Sequence, residues 1–271
     1  MLNNYHTHST YCDGKAELED FVIEAIKKGL SQIGFSGHSP LPFDNNFSIK
    51  RNKYKSYCDE VRRLKDKYSS DIKVLLGLEM DYIPGISDDF SELIKEGQLD
   101  YHIGSIHLIN RNKGNDLWMI DGSRVETYDE GLEKVFSRNI KEGVRAFYHQ
   151  TNEMIISQKP SIIGHINKIE MNNKGRYFQS DEKWYLDLVN ETLDLVKESG
   201  CICEINTRGI YKGRYPDFYP SKDILKMMKT RNIPVVAASD AHKPEEIDLL
   251  LEDVYEYLEI IEYGNICREI F

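Results

Sequence analysis

Apolar positions along the chain follow two alternating rhythms. Short continuous apolar runs read as buried strands: "NNYHTH" (3–8), "SQIGFSGH" (31–38), "IKVLLGLEM" (72–80), "LDYHIGSIHLI" (99–109), "KPSIIGHI" (159–166), "CICEIN" (201–206) and "IPVVAASDAH" (233–242). Between them lie stretches with apolar residues at helical spacing. They are "AELEDFVIEAIKKGL" (16–30), stopped by Gly29, the charged "YKSYCDEVRRLKDKY" (54–68) and "ISDDFSELIKEG" (86–97), with a Ser or Asp start. One long helix or two follow over 125–156, then "WYLDLVNETLDLVKESG" (184–200), "SKDILKMMKTRN" (221–232) and "PEEIDLLLEDVYEYLEII" (244–261). The last of these is read as a solvated acidic face. Polar, Gly-containing segments at 110–124, 167–182 and 207–220 are expected to be loops.

Continuous apolar strands alternating with helices predict an α/β protein whose parallel sheet is covered on both faces. Seven or eight such units over 271 residues suggest a closed barrel rather than an open sheet, and barrels run to about 250 residues as one unit. No linker or repeat interrupts the pattern, so 1–271 is expected to be a single barrel domain. In a barrel the loops that follow strands gather at the C-terminal face, where active sites sit.

Charge narrows the function. Lys and Arg number 35 and Asp and Glu 45, a formal charge of −10. That disfavours a nucleic-acid module, whose affinity rests on neutralising phosphates. A local cationic cleft or bound metals would still admit a small phosphorylated substrate. The five cysteines show no C-x-x-C spacing, and Cys201 and Cys203 sit in an apolar run as expected for buried free thiols. The start "MLNNYHTHST" lacks a basic region and apolar core, and no apolar run reaches ~18 residues, so neither a signal peptide nor a membrane span is expected. A cytoplasmic protein with no inferred protein partner is the expectation.

The histidines change the picture most. Of the eight, His6, His8, His38, His107, His165 and His242 lie at or just after predicted strand ends. Glu79 and Asp240 do too, and Asp13 is in the first loop. On one barrel rim these nine side chains would share a site. One metal with three or four protein ligands leaves most of them idle, whereas two or three metals use them all. Mixed nitrogen and oxygen ligation suits Zn, Mn or Fe. Each residue also has a plainer reading. Asp13 before a glycine is a common turn residue. Arg208, after the sixth predicted strand, is read either as a surface charge or loop anchor or as a phosphate clamp. His102, mid-strand, and His149, in a helix, are read as structural. Glu79 ends an apolar run, where a buried carboxylate is costly without a partner.

Seven short motifs carry a resemblance: H-x-H at 6–8, D-G at 13–14, "GHS" at 37–39, "GLE" at 77–79, "SIH" at 105–107, "GHI" at 164–166 and "SDAH" at 239–242. In this order, over nearly the whole chain, they resemble the polymerase and histidinol phosphatase (PHP) superfamily. "GHSPLPF" and "EINTRG" followed by "RYPDFYPS" are similar to its monofunctional histidinol-phosphate phosphatases of histidine biosynthesis. "GHIN", with Asn167, departs from the "GHID" of many relatives, at a position beyond the ligand set.

The resemblance implies a distorted (β/α)7 TIM-like barrel with a trinuclear metal site at the C-terminal ends of the strands. It implies that His6, His8, Glu79 and Asp240 hold one metal, that Glu79 bridges to a second held by His107 and His165, and that Asp13, His38 and His242 hold a third. The implied reaction is hydrolysis of L-histidinol phosphate by a metal-bridging hydroxide, with Arg208 on the phosphate and Asp240 handling a proton. The alternatives are a phosphoesterase of the same type acting on another small ester or a nucleotide, and an amidohydrolase-like C–N hydrolase. The latter usually has a bridging Lys on the fourth strand, where "LDYHIGSIHLI" has none. A scaffold with a structural metal would be closed and Cys-rich instead.

Overall fold

A computed structural model describes residues 2–111 and 116–270. Nine strands are described: β1 (Asn3–Asn4), β2 (Gln32–Phe35), β3 (Lys73–Asp81), β4 (Tyr101–Ser105), β5 (Leu108–Asn110), β6 (Leu117–Met119), β7 (Ile162–Ile163), β8 (Ile202–Asn206) and β9 (Val235–Ala238). Seven form one parallel sheet in the order β1-β2-β3-β4-β7-β8-β9. The sheet closes through a bridge between Thr7 and Ala241: the His8 N–H donates to the Ala241 carbonyl at 2.8 Å, and the Ala241 N–H to the His6 carbonyl at 3.0 Å. This is the nearly closed seven-stranded barrel that the alternation predicts.

Period-two alternation decides what each strand sends inward. On β3, Val74, Leu76, Leu78 and Met80 face the surrounding helices, while Leu75 joins an inner cluster with Tyr5, Tyr101, Ile103, Ile162 and Val236. Continuing the inward row upward from Leu75 gives Gly77, Glu79 and Asp81. On β8, Cys203 and Ile205 pack outward, so Glu204 and Asn206 point in, and both are fully buried. The lower half of the barrel is therefore apolar and the upper half polar. The layer between them is filled by the Tyr101 ring. A Cβ at Gly77 would lie 2.5 Å from that ring, and one at Gly34 2.4 Å from its hydroxyl, so only glycine fits at both positions. The Tyr101 hydroxyl donates to the Tyr5 carbonyl.

The covering helices bury stripes at helical spacing. Leu18–Lys27 buries Leu18, Phe21, Val22 and Ala25, with the Phe21 and Phe35 rings edge-on at 6.4 Å. Among the described residues, no helix is long and apolar enough to cross a membrane.

Several local expectations need correction. "LDYHIGSIHLI" is not one strand: β4 ends at Ser105, and β5 leaves the barrel to pair antiparallel with β6. The segment 110–124 is thus partly a hairpin, sealed by Trp118, whose indole donates to the Tyr128 carbonyl at 2.8 Å; its residues 112–115 lie outside the described residues. The helical stretch after it breaks in two, Val125–Phe136 and Ile140–Gln158, where Ser137 and Arg138 take left-handed φ values of 49° and 64°. Short helices, Glu170–Asn173 and Arg208–Tyr211, occupy two segments read as loops. The final helix starts only at Leu251, and Glu246 in the turn before it is 4% exposed rather than part of a solvated face.

Candidate metal centre

The strand-end residues converge. His6 and His8 follow β1, His38 follows β2, Glu79 lies on the inward row of β3, His107 follows β4, His165 follows β7, and Asp240 and His242 follow β9. All eight are 9% exposed or less. Asp13 reaches the same rim from the first turn. There Gly14 lies against the backbone, and a Cβ on it would meet the Ser9 nitrogen at 2.4 Å. Asp240 sits at φ 53°, a left-handed conformation that disfavours any residue but glycine. Every candidate ligand named from the sequence is in the cluster. His102 lies outside it, Nδ1 3.0 Å from Ser161 Oγ on the outer face of β4, and His149 is exposed on its helix.

Glu79 stands at the centre, and its two oxygens face different histidines. Oε2 lies 3.1 Å from His6 Nε2, 3.4 Å from His8 Nε2 and 3.2 Å from His38 Nδ1. Oε1 lies 2.9 Å from His165 Nε2 and 3.4 Å from His107 Nε2, and accepts from Ser105 Oγ at 2.7 Å. Asp240 Oδ1 lies 3.4 Å from both His8 Nε2 and His242 Nδ1. Asp13 Oδ2 lies 3.2 Å from His242 Nε2, with Oδ1 4.0 Å from His38 Nε2. His6, His8 and Asp240 form one compact ligand group; His38, Glu79 and His107 form another; His8, Asp13, His38 and His242 form a third.

The residues fit bound cations. His6 Nε2, His8 Nε2, His38 Nδ1 and Asp13 Oδ1 are buried and make no hydrogen bond, although carboxylate or imidazole atoms face them. Buried polar atoms rarely stay unpartnered unless an ion or water completes them. Charge points the same way. Burial opposes ionised Glu79 and Asp240, yet the surrounding histidines, with Arg208 beside Asp240, hold both carboxyls well below the usual range. Burial in turn keeps the His8, His38 and His165 imidazoles neutral, with lone pairs available. Burial likewise disfavours protonated His107, but Asp81, Asp121 and Glu79 outweigh it and raise its pKa to about 10. The cluster demands positive charge at its centre.

A layer beneath the ligands was not legible as such in the sequence. Glu204 Oε1 lies 2.6 Å from His6 Nδ1, and Glu204 Oε2 accepts the His165 backbone N–H at 3.0 Å. Asn206 Nδ2 donates to Glu204 Oε1 and Asp240 Oδ2, both at 3.2 Å. Asp81 Oδ1 holds His107 Nδ1 at 2.6 Å. These carboxylates leave Nε2 of His6 and His107 facing the centre, the arrangement that orients metal-binding imidazoles. The available signal was the inward register of "EIN" on β8. Glu204→Gln is expected to weaken metal retention about 10- to 100-fold, measured by competition with a chromophoric chelator; retention equal to the parent protein would make Glu204 a mere packing group.

Above the ligands opens a cleft of about 470 Å³. Lys15, Lys168, Arg208 and Arg214 line it, with Asn46 and Phe47 from the loop after β2 and Met119, Asp121, Ser123 and Thr127 from the hairpin side. Arg208 is 16% exposed and anchored: Nη1 donates to the Asp240 carbonyl at 2.7 Å and Nε lies 4.0 Å from Asp240 Oδ1. That excludes an exposed surface charge, and the same contacts fit a loop anchor as well as a phosphate clamp. Sequence reasoning missed Lys15, Lys168 and Arg214, which carry no motif.

Comparison with known proteins agrees with this architecture. The histidinol-phosphatase of Bacillus subtilis is 26% identical over 93% of this chain and 97% of its own length. A probable histidinol-phosphatase of Schizosaccharomyces pombe is 26% identical over 97% of this chain and 87% of its own. Among solved structures, a candidate histidinol phosphatase of Listeria monocytogenes superposes with a TM-score of 0.79 at 24% identity, covering 91% of this chain and 97% of that one. The Lactococcus lactis histidinol phosphate phosphatase, complexed with Zn, L-histidinol and phosphate, gives 0.69 at 20% identity, covering 98% and 95%. These superpositions establish a shared fold. The PHP domain model matches residues 4–208, from the strand that precedes the first histidine pair to the arginine in the cleft, and on that extent the chain belongs to the PHP family.

Proposed function

We propose that this protein is a metal-dependent phosphomonoesterase that hydrolyses L-histidinol phosphate to L-histidinol and inorganic phosphate, a step of histidine biosynthesis. The carrying observation is a central carboxylate, Glu79, shared between two histidine sets directly below a cleft walled by four cationic side chains. The names of the full-length relatives supply the substrate. The Zn in the Lactococcus lactis structure agrees with the donor set.

His6, His8, Glu79 and Asp240 would hold one metal, Glu79, His107 and His165 a second, and Asp13, His38 and His242 a third. Bound divalent transition metals supply Lewis-acid activation of water and neutralise phosphoryl charge. The protein's own groups do the rest. Arg208, held in place by the Asp240 carbonyl, presents its guanidinium to the phosphate. Asp240 Oδ2 accepts from Asn206 and Oδ1 faces His8 and His242, which fixes the carboxylate on the rim to pass a proton toward the leaving oxygen. Lys15, Lys168 and Arg214 offset the negative charge of the substrate's phosphoryl group over a strongly acidic protein.

Phosphate release from a panel of small monoesters by metal-loaded protein tests this reading. L-Histidinol phosphate is expected to be the preferred ester, and chelation to abolish turnover. Elemental analysis of dialysed protein is expected to find two to three divalent transition metals per chain. A content near zero with activity untouched by chelator would remove the mechanism.

A further inference from the structure

One carboxylate in the cleft borders the histidine cluster without joining any of its compact ligand groups. Of the four acidic residues that line it, Asp13, Glu79 and Asp240 turn into the ligand groups. Asp121 does not. It stands just beyond the β5–β6 hairpin, 24% exposed, with Oδ2 3.8 Å from His107 Nε2 and 4.0 Å from Lys168 Nζ, and belongs to none of the compact ligand groups. Its neighbours on that wall, Met119, Gly122, Ser123 and Thr127, are uncharged. Phe47, also in the cleft lining, packs edge-on against His38 at 5.4 Å and offers an apolar surface.

A phosphate monoester has two ends with different needs. The phosphoryl end takes the metals and the cationic wall. A neutral leaving group would gain nothing from an extra anion beside the phosphate, and the phosphate itself would be repelled by it. A leaving group that carries an ammonium would gain a charge-assisted contact. We infer that Asp121 is the specificity-determining counter-ion for the amine of a cationic leaving group, with Phe47 flanking its organic portion. The inference rests on the proposed phosphomonoesterase reading and says which part of the ester selects it.

The test compares the metal-loaded parent protein with Asp121→Asn on four esters. Two carry an amine, L-histidinol phosphate and phosphoethanolamine. Two do not, the deamino analogue of L-histidinol phosphate and p-nitrophenyl phosphate. Asp121→Asn is expected to raise KM for the preferred amine ester by about 10- to 100-fold, the scale of one hydrogen bond to a charged group. Turnover of the two amine-free esters should stay within about twofold and the metal content by elemental analysis should be unchanged. An equal loss on all four esters, or loss of metal, would place Asp121 in the metal machinery and overturn the inference. So would an unaltered KM. If the parent protein prefers phosphoethanolamine and Asp121→Asn erases that preference, Asp121 keeps its role and the histidinol-phosphate assignment falls instead.

Discussion

Glu79→Gln is expected to lose metal and at least about 10³-fold in turnover while the barrel stays folded. Both oxygens of Glu79 are engaged, one toward His6, His8 and His38 and the other toward His107 and His165. An amide supplies one oxygen and turns an N–H₂ toward imidazole nitrogens that need a lone-pair partner or a cation. The shared position is therefore lost, and with it several kcal/mol of charge stabilisation, about 4 kcal/mol corresponding to 10³ in rate. Ser105 Oγ can still donate to the remaining oxygen, and the residue is isosteric, so circular dichroism and thermal unfolding of the metal-free forms should match. Elemental analysis and phosphate release are the measurements. A full metal complement with near-normal turnover would make Glu79 an ordinary strand-end carboxylate.

Arg208→Ala separates phosphate binding from metal binding. The side chain donates to the Asp240 carbonyl and to Tyr211 Oη, and lies 3.6 Å from Glu246 Oε2, so its guanidinium is fixed before substrate arrives. Removing one pre-positioned charge contact to a developing transition state costs about 2.7 to 4 kcal/mol, or roughly 10²- to 10³-fold in rate. Catalytic efficiency should fall on that scale with metals retained. Arg208→Lys should recover only part, because an ammonium cannot make a two-pronged contact. Steady-state kinetics and metal analysis of the two variants decide it; efficiency within about threefold of the parent, roughly 0.6 kcal/mol, would put the clamp elsewhere.

The candidate ligands were legible because a parallel barrel converts "strand end" into "same place". An apolar run that stops at a His, Asp or Glu identifies a rim residue without knowledge of its neighbours. The second layer was harder for a physical reason. Glu204 lies inside an apolar run and Asp81 just past the end of one, and only the inward or outward register of the strand, fixed by packing on both faces, shows that they support His6 and His107. Glu246 was misread because charge density along a segment does not reveal which carboxylate folds back. Here it binds the His242 N–H at 3.0 Å and the Lys212 ammonium. The β5–β6 hairpin and the short helices at 170–173 and 208–211 escaped because they are too brief to establish a period. Asp121, Lys168 and Arg214 come from such irregular segments, so the pattern could not describe that part of the cleft wall.

The seam of the barrel has a consequence for how the molecule folds. Thr7 meets Ala241 there, and His242 reaches Asp13 across 229 residues of chain. Contacts of such separation carry a high loop-closure entropy and form late, which slows folding. Ions that draw ligands from both sides of the seam bind only after it has zipped. They add RT ln(1 + [L]/Kd) to the closed state alone, so an excess of about 1,000 over Kd is worth about 4 kcal/mol. With the proposed ligand set, metal supply would act as a latch on the whole barrel, and a growing chain would complete that set only once the strand that carries Asp240 has docked.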